Sequence, residues 1–532
     1  MKLRTTLKIA TATSVILLCL GFAFSLYFRM SVTERAEDFD LYTLVPADSK
    51  VIVDTDNMVS LMQSINELNC SKDQRFLYFS RFFVYLKDHI NTLLEHTPHG
   101  LSKQMNKMLI SFHEPNGDRD QLFYCRLGAG DYEFIEQFIH KYFASSFPSR
   151  FFDYKGEEIR IYPMPDDTFL ACYVTTEFLV VSYQKKLIEQ VIDARLNKQS
   201  ILADKNFSKI REARRMVTPA TIYVDMHTVD MGKESDALRY QSSIGGWTEF
   251  NVNLNGDAIY LSGINYDADS CNTFMNTLRT MKPVEEFPGD ILPASTFFFT
   301  KGSVSNLDSV LNFTSVHSYT QATYSDAIMD GDKAVYEFMK ECVGDAAITC
   351  MFQAGDSLAQ SSYIVWSTLL NNVSKAKQAL ANLCNLTPRH EGVISLYTLP
   401  RNTLFAQLTG ITDSSLQTYA CIHKKQLLIS SDAAALHAYV EVLEKENSVL
   451  EGTPAYEDMV ASLSQSYNFV MMGDMEEILD QPEGYVRFIP NLFFRYGKFF
   501  RHFTLTTQFT CIDNIVYPNL ILTYKGVQPV EN

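Results

Sequence analysis

The fourteen residues from Leu44, LVPADSKVIVDTDN, return near the middle of the chain as ILPASTFFFTKGSV from Ile291. Each sets a Pro-Ala turn signal ahead of a run rich in β-branched or aromatic residues, the composition of a strand. A duplicated unit has to recur in order and at nearly constant offset. Pro46-Ala47 stands 247 residues before Pro293-Ala294, and Ser182 in FLVVSYQKKLIEQVIDA stands 248 before Ser430 in QLLISSDAAALHAYVEVL. Phe207 in ILADKNFSKI then falls 249 before Tyr456 in EGTPAYEDMV.

Three further landmarks keep the order. RIYPMP, ending at Pro165, resembles SLYTLP, ending at Pro400, and MLISFHEPNGDRDQLFYCRL from Met108 resembles ITCMFQAGDSLAQSSYIVWSTL from Ile348. The halves close on WTEFNVNLNGDAIYLSGINY and FTLTTQFTCIDNIVYPNLILTYK. Between the Gly-Asp turns at Gly117 and Gly355 the offset is 238, so loops differ in length between the copies. The reading is a tandem duplication: repeat domain 1 over 42–266, a linker over 267–289 containing MKPVEEFPGD, repeat domain 2 over 290–526 and a tail over 527–532. At 532 residues the chain has room for two such domains.

Within a copy, helical and strand periods alternate. NMVSLMQSINEL puts Met58, Leu61, Met62, Ile65 and Leu68 on one helical face, and RFLYFSRFFVYLKDHINTLLEH continues as a long helix stopped by Pro98 and Gly100. FNVNLNGDAIYLSGI alternates with period two about Asn255-Gly256-Asp257, the signature of a hairpin. The expected class is α+β, two related domains of helices packed on one side of a mainly antiparallel sheet.

A hydrophobic share of 46% and an aromatic share of 13% describe a folded chain. The formal charge of -16, from 46 basic and 62 acidic residues, argues against nucleic acid as a partner, because phosphate binding needs clustered Lys and Arg. Ten cysteines form no C-x-x-C pair and have no histidine at ligand spacing, so they read mostly as buried free thiols rather than a zinc site, with occasional disulfides the alternative in an exported domain.

The N-terminus sets the compartment. Lys2, Arg4 and Lys8 lie in the basic stretch 1–8, ahead of twenty uncharged residues, Ile9 to Phe28; at about 1.5 Å each these span about 30 Å, one bilayer crossing. Positive charge in front keeps the N-terminus cytoplasmic and exports the rest, after a linker over 29–41. A cleaved signal peptide is the rival, with Ala23 and Ser25 as a small-x-small site, but the apolar run continues past it. Lipidation at Cys19 is disfavoured by Leu18 before it. The expectation is a single-pass inner-membrane protein, anchored by 9–28, with its bulk in the periplasm.

The anchor, the V/L-P-A opening of each half, the LVVS and LLIS strands that each lead into a helix, and the closing meander together resemble the domain-of-unknown-function 3352 family, membrane-anchored envelope proteins of Bacteroidota. That resemblance covers nearly all of the exported part. It implies a periplasmic location and brings no catalytic residues with it.

Candidate sites are few. His89, His96 and His99 gather with Glu95 at the end of the long helix, but zinc sites of the H-E-x-x-H kind need a four-residue spacing with the glutamate between the ligands. There is no G-x-S-x-G and no P-loop; GAGD, Gly128 to Asp131, reads as a turn that caps the helix after it. No catalytic, cofactor-binding or metal-binding residue is assigned. The one unusual surface is YVRFIPNLFFRYGKFFRHF, Tyr485 to Phe503, where Arg487, Arg495, Lys498 and Arg501 interleave with eight aromatic residues. Three readings compete: a base-stacking platform, which the acidic charge of the chain disfavours; a docking segment for an acidic partner or anionic lipid headgroups; or a helix and strand whose aromatics are buried while the cations reach water. The functional expectation is a non-enzymatic envelope protein acting through protein or lipid contacts. Its alternatives are an envelope hydrolase with an unrecognised site and a carrier of lipid or peptide.

Overall fold

In the computed structural model the described residues are 39–72, 107–113, 120–128, 131–142, 148–164, 168–212, 218–232, 244–265, 273–311, 326–355, 361–384, 388–400, 417–445, 449–481 and 489–526. The chain is a mixed protein of helices and antiparallel sheet. Its contacts divide it into two compact units, the described parts of Met1–Asn66 with Leu77–Tyr223, and of Glu67–Phe76 with Val224–Asn532. The expected anchor at 9–28 and the expected long helix from Arg75 fall outside the described residues.

The first unit runs β1 (Val51–Thr55), α1 (Met58–Glu67), β2 (Met108–Phe112), β3 (Gln121–Arg126), α2 (Asp131–Tyr142), β4 (Arg150–Tyr154), β5 (Glu157–Pro163), β6 (Phe169–Val174), β7 (Phe178–Ser182), α3 (Lys185–Asn197), α4 (Lys205–Glu212) and β8 (Ala220–Asp225). Its strands pair in the order β4-β5-β6-β7-β3-β2-β1-β8. As the sequence period requires, α1 buries Met58, Leu61, Met62 and Ile65. In α3 the buried stripe is Leu187, Ile188, Val191 and Ile192, and the helix ends at Lys198, whose positive φ of 53° turns its N–H onto the Ala194 carbonyl.

One expectation is corrected here: helices cover both faces of the sheet. Phe151 and Phe152 are neighbours on β4 and so point to opposite faces. Phe152 meets Lys185 of α3, whose ammonium is 5.5 Å from the ring centre, while Phe151 meets Arg160, whose guanidinium is also 5.2 Å from Tyr132 of α2. Helices on both faces account for β7, FLVVS, being buried at every position; a strand covered on both sides has no polar alternation to display.

The second unit runs β9 (Trp247–Asn255), β10 (Ala258–Asn265), α5 (Phe274–Arg279), β11 (Thr296–Ser303), α6 (Asp326–Cys342), β12 (Val343–Ala354), β13 (Ser361–Leu370), α7 (Val373–Cys384), β14 (Arg389–Glu391), β15 (Ile394–Thr398), β16 (Tyr419–His423), β17 (Gln426–Ser430), α8 (Ala433–Leu443), α9 (Pro454–Ala461), β18 (Phe469–Asp474), α10 (Met475–Leu479), α11 (Asn491–Arg495), α12 (Gly497–Phe500), β19 (Phe503–Ile512) and β20 (Ile515–Tyr524). Its order is β14-β15-β16-β17-β13-β12-β11-β18-β19-β20-β10-β9. Adding ten to each label of the first unit reproduces the first eight strands of the second. Both faces are again covered: Trp366, Leu427 and Ile429 pack with α6 and α7, while their neighbours Val365 and Leu428 pack with α8.

Small features repeat with the strand order. Pro46 bridges to Ser200 and Pro293 to Val449. The Ser182 hydroxyl donates to the Gln121 carbonyl and the Ser430 hydroxyl to the Ile364 carbonyl, each at 2.8 Å. The hairpin about Gly256-Asp257 forms with Asn255 opposite Ala258, and its second strand pairs along β20 from Ala258↔Thr523 to Asn265↔Val516. That pairing goes with the place of β9 and β10 in the second compact unit, which takes up the chain from Val224.

Candidate functional site

The basic and aromatic segment of the second unit separates into an inside and an outside. Phe493, Phe499, Phe500 and Phe503 are buried, with ring centres 4.7 Å apart for Phe493–Phe500 and 5.0 Å for Phe499–Phe503. They share a core with Leu505, Val516 and Leu522 of β19 and β20. The short helices α11 and α12 are held by this aromatic base, and Gly497 lets them approach Leu479: a Cβ there would lie 3.0 Å from the leucine side chain. Arg495 and Lys498 are exposed, and Arg501 is half-buried with Nη2 3.9 Å from Asp480 Oδ2. Arg487 lies outside the described residues. These four rings therefore cannot serve as stacking platforms, and beside the exposed Arg495 and Lys498 the surface carries Leu492, 50% exposed, with Phe494 and Tyr496 half-buried.

The first unit contains a polar cluster that the sequence reading passed over. Ser111 and His113 sit two residues apart, so strand geometry turns both to one face. His113 Nδ1 lies 3.2 Å from Asp48 Oδ1, and Nε2 lies 2.8 Å from Ser111 Oγ. A carboxylate only accepts, so Nδ1 carries the ring proton and Nε2 accepts from the Ser111 hydroxyl. Ser111 Oγ in turn accepts from the Tyr124 hydroxyl at 2.9 Å. The neighbouring Ser49 donates its own proton to the Pro46 carbonyl at 2.9 Å. Gln190 Nε2 donates to the second Asp48 oxygen at 3.3 Å.

The hydrogen bond from His113 holds the Asp48 carboxyl below its ordinary value, and burial pushes the Tyr124 phenol well above its own. Acid, imidazole and hydroxyl are joined in the order of a serine hydrolase triad. Access is what differs. Ser111 is 0% exposed and His113 1%, so no acyl group reaches the hydroxyl; the cluster ties the Pro46–Ser49 turn to the sheet. The signal available in sequence was the S-x-H alternation in MLISFH, but Asp48 and Tyr124 join it only through strand pairing.

His89, His96 and His99 lie outside the described residues. Among the described residues no group of three His, Cys, Asp or Glu side chains is placed to hold a metal ion. Asp131 of GAGD opens α2 and accepts from the Gly128 N–H at 2.5 Å, and burial raises its carboxyl. Eight described cysteines are free thiols, seven of them buried. No helix among the described residues is long and apolar enough to cross a membrane.

Neither a family model nor a curated protein matches the chain. Among solved structures, one described as "Structure of crystal form I of TP0453" is similar at a TM-score of 0.26 and 10% identity, over 47% of this chain and 89% of that one. At that score the likeness carries no functional argument.

Proposed function

We propose that the chain is a non-enzymatic, membrane-anchored protein of the cell envelope, built from two related modules, that works by contact with an envelope protein or with lipid. The observation that carries the reading is the mounting of Arg495 and Lys498: both are exposed on short helices whose Phe493, Phe499 and Phe500 side chains are buried in the core. Cations fixed on a rigid base recognise an acidic surface with little ordering cost. The anchor at 9–28 restricts the search to the membrane surface, and duplicated modules offer two related faces. The shared strand order and the repeated Pro and Ser contacts support the duplication. An inner-membrane, periplasm-facing location follows from the charge order around the apolar run, and kinship with the domain-of-unknown-function 3352 family belongs to the same proposal.

A hydrolase has one observation behind it, the Asp48–His113–Ser111 connectivity, and the burial of Ser111 weighs against it. The test is purification of the full chain from cross-linked membranes, with mass spectrometry of the accompanying proteins and lipids. A stoichiometric partner lost in Arg495→Glu is the expected result. Recovery of the chain alone, or labelling of Ser111 by a fluorophosphonate in the folded protein, would overturn the proposal.

A further inference from the structure

The far edge of each sheet offers an internal control. In the second unit the edge strand is β14, three residues long, with the sequence RHE; Arg389 and Glu391 pair with each other at 2.8 Å. A short, charged edge resists pairing with other chains. At the same place in the first unit stands β4, five residues reading RFFDY, with all but the last exposed. Phe151 is 58% exposed and Phe152 40%. Among the described residues β4 pairs with β5 alone, and no described strand meets the backbone donors and acceptors along its other side. The fold is completed by RHE in one unit, and so does not require two solvent-facing phenylalanines in the other.

We propose that β4 is a self-association edge, along which a second copy of this chain adds its own β4 antiparallel about a twofold axis through Phe152. Two identical strands related by a twofold axis normal to the sheet pair residues of the same face. For Arg150–Tyr154 the register with full overlap sets Phe152 against Phe152 of the second copy, Arg150 against Tyr154 and Phe151 against Asp153. No like charges meet in that register, aromatic faces aromatic at the centre, and each Arg150 lies beside a phenol ring. Lys185 beneath Phe152 and Arg160 beneath Phe151 already hold the two rings from the side of their own sheet. The strand itself carries one cation and one anion, so the repulsion to overcome is that of the whole chain at -16. Such repulsion acts over distances that salt screens.

This inference is independent of the basic face around Arg495 and of the anchor. Its test uses the full chain in detergent micelles, with sedimentation velocity over a range of protein concentrations and oxidative cross-linking of introduced cysteines. The expected result is a dimer that strengthens between about 10 mM and about 150 mM salt. Phe152→Asp, which sets two carboxylates face to face, weakens it at least about tenfold. Phe152→Cys yields a covalent dimer on oxidation, while the wild type and Phe169→Cys, the more exposed position at 57% but on β6, do not. Because Phe152 is exposed, both variants should keep the wild-type circular dichroism. A monomer at every concentration, a dimer indifferent to Phe152→Asp, or equal cross-linking through position 169 would each overturn the proposal.

Discussion

At equivalent places the two units have filled their sheets in opposite ways. In the first, Ser111 lies on β2 opposite Ile52 and Leu122, with His113 beyond it and Tyr124 on the next strand. In the second, Cys350 lies on β12 opposite Phe299 and Val365, with Phe352 beyond it and Ser367 on the next strand. Phe352 packs its ring 5.8 Å from Tyr363 and 5.5 Å from Tyr439, where the first unit has a hydrogen-bonded relay. A second exchange lies nearby. Tyr42 donates to Asp54 at 2.9 Å beside Phe207, while at the matching positions Gly289 lies under Tyr456, whose hydroxyl accepts from the Gly289 N–H at 2.8 Å. The phenol has changed partners within the pair. One strand order thus tolerates polar or apolar filling, provided volume is conserved and every buried polar atom is bonded.

The apolar version is the easier to break. Phe352→Ala removes a fully buried ring, and the second unit should lose about 3 to 5 kcal/mol, read in denaturant through Trp247 and Trp366, which both belong to that unit. A loss below about 1 kcal/mol would mean that Tyr363 and Tyr439 collapse into the space.

The polar version breaks through its bonds. His113→Phe imports the second unit's residue but leaves Ser111 without its acceptor, at an expected cost of about 1 to 3 kcal/mol by hydrogen exchange of the first unit's strands. Adding Ser111→Cys and Tyr124→Ser completes the exchange, and the triple variant should cost less than the sum of the single changes. Strict additivity would show that the relay is not a unit.

Much of this frame could be read in the chain. The landmarks at Pro46 and Pro293, and at Ser182 and Ser430, hold matching bridges and hydroxyl bonds because a repeated local sequence repeats its local geometry. The α1 stripe and the Gly256-Asp257 hairpin rest on nearest-neighbour periods and were equally plain. Helices on both faces were not foreseen, although the unbroken apolar runs FLVVS and QLLIS carried the signal. The relay escaped because His113 finds Asp48 across 65 residues, and only strand pairing supplies that neighbour. The direction of the Phe493 to Phe503 rings was likewise undecided until β19 and β20 gave them a surface to bury against.

A smaller effect sharpens the exchange of phenols. Tyr456→Phe makes the second unit like the first at Phe207 and removes the acceptor of the Gly289 N–H, so a loss of about 1 kcal/mol is expected by denaturant titration. Gly289→Ala attacks the same contact sterically, since its Cβ would lie 2.5 Å from the Tyr456 ring. Combined with Tyr456→Phe the alanine still meets the ring, so relief should come only with a smaller residue at 456.

The smallest effect concerns acid. Asp48 titrates below its ordinary value because His113 donates to it, so its share of stability is present above about pH 4 and is lost as the pH falls through the depressed value. The matching residue of the second unit is Ser295, which donates to the Gln353 carbonyl and does not titrate. The acid loss from this position therefore belongs to the first unit alone. Asp48→Asn keeps an oxygen for His113 Nδ1 and removes the charge. It should leave stability near pH 6 lower by a fraction of a kcal/mol, as about half of the Asp48 side chain is in water, and should flatten the decline between about pH 5 and pH 3. Hydrogen exchange of β1 and β2 at both ends of that range reads the difference. An unchanged acid slope in the variant would mean that the Asp48–His113 bond is geometric only, and that the polar filling of the first unit adds no pH dependence over the apolar filling of the second.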